Sequence, residues 1–166
     1  MPRTRLIVFM LVALVALASV SVAIAGANRN YKAHLTGDEE NPPVDTSGHG
    51  VANLKVSKAG NSLSFKLNVS NLADITQAHI HRGADGVNGP VVAFLFGLIP
   101  AGVNEEGRLA QGTITDANVI DRPDSEQCPG GVSSLDDVLE KIESGDAYVN
   151  VHTLAFPGGE ARGQIR

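Results

Sequence analysis

Ser62-Leu63-Ser64-Phe65-Lys66-Leu67-Asn68-Val69-Ser70 is the stretch that decides the fold. Leu63, Phe65, Leu67 and Val69 alternate with Ser64, Lys66 and Asn68, the period-two pattern of a strand with one face in a core and one in water. Residues 51–57 precede it with Val51, Leu54 and Val56 apolar, and Lys58-Ala59-Gly60-Asn61 supplies the Gly and Asn of a turn. The two runs therefore read as a hairpin.

Further strands are expected at 31–36, 78–81, 91–96, 108–115, 147–153 and 160–165. Within 108–115, Leu109 and Ile114 have opposite parity, so burying both requires a bulge, expected near Gly112. One helix interrupts the series at about 134–144. Leu135, Val138, Leu139 and Ile142 form a single apolar stripe, Ser134 and Asp137 make a capping-box start, and Gly145 stands where a left-handed residue ends the helix. Short strands separated by Gly- and Pro-rich turns predict an all-β fold, an antiparallel β-sandwich or Greek-key barrel carrying one short α-helix.

The chain begins differently. Arg3 and Arg5 precede an apolar run over residues 6–25 that only Ser19 and Ser21 interrupt, and Ala23, Ala25 and Ala27 alternate at its end. This is the layout of a signal peptide, with cleavage expected after Ala27 or, as the second choice, after Ala25. An uncleaved run of this length is also long enough to anchor the chain in a bilayer with the domain outside. Segment 1–27 is thus the signal peptide or anchor, and 28–166 is one domain, secreted or otherwise extracytoplasmic.

Loss of Arg3 and Arg5 leaves 11 Lys and Arg against 18 Asp and Glu, a net charge of −7. Such a balance argues against nucleic acid as a partner, and against a membrane except through the N-terminal segment. Cys128 is the single cysteine, so no intramolecular disulfide forms. It lies in the turn-like Gln127-Cys128-Pro129-Gly130-Gly131 and reads as a loop thiol without function.

Three blocks carry more information than the periodicity. Leu35-Thr36-Gly37 leads to Glu40-Asn41-Pro42-Pro43-Val44. Gln77-Ala78-His79-Ile80-His81-Arg82-Gly83 continues to Gly86-Val87-Asn88-Gly89-Pro90-Val91. Gly145-Asp146-Ala147-Tyr148-Val149-Asn150-Val151-His152-Thr153 precedes Pro157-Gly158-Gly159-Glu160-Ala161-Arg162-Gly163-Gln164-Ile165. In this order they closely resemble the CHRD domain, the module named after chordin and found in many microbial exported proteins. The resemblance spans 31–166 and implies an exported module without an assigned biochemical role. In chordin-like proteins the domain accompanies cysteine-rich modules that bind growth factors. This chain has none of those modules, and the resemblance carries no signalling role over.

On their strands, His79 and His81 emerge on one side, as do Tyr148, Asn150 and His152, and as do Glu160, Arg162 and Gln164. Two arrangements follow if these strands are neighbours. In the leading one, His79, His81, Asn150, His152, Glu160 and Arg162 form a buried polar network without cofactor, Arg162 neutralising Glu160. In the alternative, His79, His81 and His152 ligate zinc or copper, with Glu160 as a further ligand or an acceptor behind one, and redox activity becomes conceivable. A His-x-His strand in a β-barrel is superficially similar to copper-zinc superoxide dismutase, but the cysteine pair for that protein's disulfide is missing.

Asp38, Glu39, Glu40 and Asp45 lack the spacing of a calcium loop and read as a solvated turn. His34 and His49 read as ordinary loop or strand-end residues. Asn68-Val69-Ser70 is a glycosylation sequon. No nucleophile elbow, zincin helix or Walker loop occurs, and no catalytic residue is assigned. The leading expectation is a non-enzymatic exported module that binds an unknown extracellular protein or envelope component; the alternative is an extracytoplasmic zinc or copper protein.

Overall fold

A computed structural model describes residues 29–166. The expected leader and its cleavage sites lie outside these residues. Eight strands form: β1 (Asn30–Thr36), β2 (His49–Val56), β3 (Leu63–Ser70), β4 (Ile75–Arg82), β5 (Val91–Phe96), β6 (Gly107–Ile114), β7 (Ala147–Thr153) and β8 (Ala161–Gln164). They make one antiparallel sheet in the order β5-β4-β7-β8-β1-β2-β3-β6. The sheet curls until its ends approach. The chain leaving β6 then pairs with the free edge of β5, through an Ala93–Val119 bridge and an Ile120 N–H that donates to the Val92 carbonyl at 2.8 Å. Of the two architectures expected, the molecule adopts the barrel, and it is nearly closed.

The alternation in β3 is realised as expected. Leu63, Phe65, Leu67 and Val69 are buried while Ser64, Lys66 and Asn68 are exposed, and β2 pairs with β3 from His49–Ser70 to Val56–Leu63. Inward residues of the other strands, among them Ala33, Leu35, Leu54, Ile80, Val149 and Val151, fill the interior. Burial of this kind is the main stabilising contribution to such a fold.

The bulge in β6 falls elsewhere than expected. Leu67 faces Ala110 and Asn68 faces Arg108, so Leu109 is the extra residue. Gly112 instead makes room for a neighbouring side chain, because a Cβ at this position would stand 2.9 Å from the Phe65 ring.

Helix α1 (Leu135–Glu143) carries the predicted capping box. The Asp137 N–H donates to Ser134 Oγ, and the Ser134 N–H donates to the Asp137 carboxylate at 2.9 Å. Leu135, Val138, Leu139 and Ile142 join the core, and Glu143 receives hydrogen bonds from Arg29 and Tyr31 at the start of β1. Gly145, at φ 79°, ends the helix, and the Asp146 N–H then donates to the Lys141 carbonyl. Among the described residues no helix is long and apolar enough to cross a membrane.

Two local expectations are corrected. Cys128 lies in a loop as expected, but its thiol is 1% exposed and packs into the apolar core instead of facing solvent. The acidic turn is solvated at Asp38, Glu39 and Asp45, but Glu40 is buried.

Candidate metal centre

β4 and β7 are adjacent and antiparallel, with Gln77 opposite His152, His79 opposite Asn150 and His81 opposite Tyr148. Ala78, Ile80, Val149 and Val151 point into the barrel, so the three histidines stand on its outer side. That side is covered as well: His79, His81 and His152 are all buried. Part of the cover is the loop 83–90, which folds back so tightly that a Cβ on Gly89 would meet the Arg82 carbonyl oxygen at 1.7 Å. Only glycine fits there.

Arg162 fastens this loop. Its guanidinium lies 3.5 Å from the centre of the Tyr148 ring, a cation–π contact. Its nitrogens donate to Asn88 Oδ1 at 3.0 Å and to the carbonyls of Ala84 and Val87 at 3.1 and 3.0 Å. Gln164 Nε2 adds a bond to the Gly83 carbonyl. The anchored loop presents the Gly89 carbonyl to His81.

The histidines form a compact group, with one ligand atom from each lying within 4.8 Å of the others. His81 Nδ1 is 2.9 Å from the Gly89 carbonyl oxygen, and His152 Nδ1 is 3.0 Å from that of Pro157. A carbonyl only accepts, so both Nδ1 atoms carry the proton and both Nε2 atoms present lone pairs. His79 Nδ1 stands 3.2 Å from His152 Nε2. That separation is a hydrogen-bond distance and is also close to the edge of a tetrahedron of nitrogens around zinc, about 3.3 Å for ordinary zinc–imidazole bonds, although the three ligand atoms together are bounded only by 4.8 Å. His79 Nε2 and His81 Nε2 are buried and have no hydrogen-bond partner. Each such orphan costs about 1–3 kcal/mol.

Electrostatics keep the group neutral. Burial holds His79 down to about 3 and His81 down to about 4, with the neighbouring imidazoles acting in the same direction, and burial also lowers His152. Neutral imidazole is the form that ligates metals. Aromatic rings fix the orientation: Tyr148 stacks on His81 at 4.8 Å, and Phe94 meets His79 edge-on at 4.4 Å.

The acidic residues are placed apart from the three rings. Glu160 is buried, and its two oxygens accept hydrogen bonds from Thr46 and Thr153, each at 2.7 Å. Asn150 extends its amide toward Glu40 at 3.5 Å, leaving Glu40 Oε1 and Asn150 Oδ1 without partners. Burial pushes the Glu40 carboxyl up to about 7 against the opposing effect of Arg162. His34 and His49 are exposed on β1 and at the start of β2. One residue packed on the rings was not singled out in the sequence: Phe94, which looks like one more strand apolar.

The sequence model of the CHRD domain matches residues 31–165. The chain belongs to the CHRD domain family. That match takes in the three histidines, the loop that covers them and all eight strands, β1 from its second residue. No curated protein and no solved structure matches this CHRD chain.

Proposed function

We propose that this CHRD domain acts outside the cytoplasm as a metal-holding module, in which His79, His81 and His152 bind one transition-metal ion. The observation that carries the reading is that one ligand nitrogen from each of three buried imidazoles lies within 4.8 Å of the others, with His81 and His152 oriented by Nδ1 bonds to backbone carbonyls. Metal-binding histidines characteristically use their second nitrogen this way, because the bond fixes both tautomer and ring direction. Placement outside the cytoplasm is supported by the leader-like residues 1–27.

The donor set bears on the choice of ion. Three imidazoles suit copper and zinc alike. Among the described residues no carboxylate joins the three rings, and the charges of Arg162 and Arg122 act on His81. The cost of burying an ion rises with the square of its charge, which works for singly charged copper, while a doubly charged ion gains more from its bonds to imidazole, so copper and zinc are both tested. Protein purified without a polyhistidine tag, loaded with either ion and desalted, is expected to carry close to one metal ion per chain by elemental mass spectrometry. His81→Ala is expected to carry little. A parent protein that retains neither copper nor zinc would overturn the proposal.

A further inference from the structure

The outer face of β1, β2, β3 and β6, a separate region from the histidines, bears a one-sided charge. These four strands contain Lys32, Lys55, Lys66 and Arg108 and no acidic residue, although the chain has 18 Asp and Glu. All four cations lie on the solvent side, and none forms an ion pair among the described residues. The strand register places Lys32, Asn53, Lys66 and Gln111 abreast, with Lys55, Ser64 and Thr113 in the next outward row. Strands stand about 4.8 Å apart, so Lys55 lies diagonally between Lys32 and Lys66, within one screening length of both. Like charges so arranged repel, and a face that had only to meet water would be relieved by an interspersed Asp or Glu. A cleft of about 390 Å³ lies among these rows, with Lys55, Lys66, Asn30, Asn53 and Ser64 in its lining beside Tyr31, Leu54 and Phe65.

We infer that this face binds an anionic polysaccharide bearing carboxylate groups. The cations match the carboxylates, and the Asn, Gln, Ser and Thr side chains between them match sugar hydroxyls in hydrogen-bonding capacity. The face lacks what other polyanionic or protein partners require. Its outward apolar residue Val51 is half-buried, and the large exposed apolar residues Val87, Phe94, Leu98, Ile99 and Leu154 all lie off these four strands. No side chain on it inserts into lipid, no row of aromatics stacks on bases, and no buried anchor serves a protein interface. The surface is thus locally cationic on a domain whose net charge is negative.

Polygalacturonate is the probe, with neutral dextran, phosphatidylglycerol vesicles and a single-stranded oligonucleotide beside it at low salt. The parent is expected to bind polygalacturonate, to release it as salt rises, and to ignore dextran. The triple variant Lys32→Ser, Lys55→Ser, Lys66→Ser should bind about tenfold or more weakly, whereas the triple Lys→Arg variant should bind like the parent. Equal melting temperatures for the three proteins establish that folding is unchanged, as expected for exposed positions. Absence of polygalacturonate binding, equal binding by the Ser variant, or tighter binding of the vesicles or the oligonucleotide would each overturn the inference.

Discussion

His152 illustrates how single residues at the candidate centre are held: one ring nitrogen faces the Pro157 carbonyl and the other faces His79. Its neutrality, with that of His79 and His81, has a consequence for pH. Below their ordinary value of 6.5 the unfolded chain takes up protons at these rings, while the fold resists until about pH 4 at His81 and about pH 3 at His79. Their contribution to stability is therefore complete above pH 6.5 and drains away as the pH falls. Glu40 acts with the opposite sign. Between its ordinary 4.5 and about 7 the folded carboxyl keeps a proton that the unfolded chain has lost, so its contribution declines as the pH rises through that window. Three rings outweigh one carboxyl, and urea unfolding of the metal-free domain should show stability falling from pH 6.5 to 5. Glu40→Gln should make that fall steeper; a rise in stability on acidification would contradict the assignment. The histidine spacing was visible in the sequence because period two puts His79 and His81 on one side. Glu40 was not, since burial of one acid among four depends on a loop path that no local pattern encodes.

At the scale of single elements, β3 was legible because its alternation is uninterrupted and its turn carries Gly and Asn. Phe65→Ala should cost about 3–5 kcal/mol in chemical unfolding, and Lys66→Ala on the outer face no more than about 0.5 kcal/mol. Comparable losses would mean that the register is wrong. β6 was only half legible. Opposite parity at Leu109 and Ile114 announced a bulge, but Gly112 drew attention as the flexible residue when its purpose is space for the Phe65 ring. The loop 83–90 shows the same limit. Its glycines marked a turn, yet its attachment to Arg162, which follows it by more than 70 residues, is a tertiary fact. Arg162→Lys keeps the charge and loses the fork of donors. Amide exchange in residues 83–90 should then accelerate at least about tenfold, equivalent to about 1.4 kcal/mol of lost closure, while β2 and β3 stay protected. Unchanged exchange in the loop would show that the clamp is not what holds it.

For the whole molecule, the alternation and turn spacing indicated an all-β fold but left sandwich and barrel open, because closure depends on strand order. Gly163 is one residue on which that order rests. A Cβ there would stand 2.1 Å from the His34 carbonyl oxygen, so its absence lets β8 lie against β1 and continue the sheet from the histidine-bearing strands to the cationic ones. The barrel thereby carries two outer faces of different character, one buried under a loop and rich in imidazole, the other open and cationic. The central claim concerns the first. Its most direct test is the melting temperature of the metal-free protein titrated with copper(I) and, separately, with zinc, for the parent and for His79→Ala, His81→Ala and His152→Ala. An ion that binds only the folded state at a hundred times its Kd adds about 2.7 kcal/mol of stability, so the parent's melting temperature should rise by several degrees at micromolar metal. Each variant should lose most of that rise. A parent whose melting temperature ignores both metals, or variants that respond as the parent does, would contradict the account.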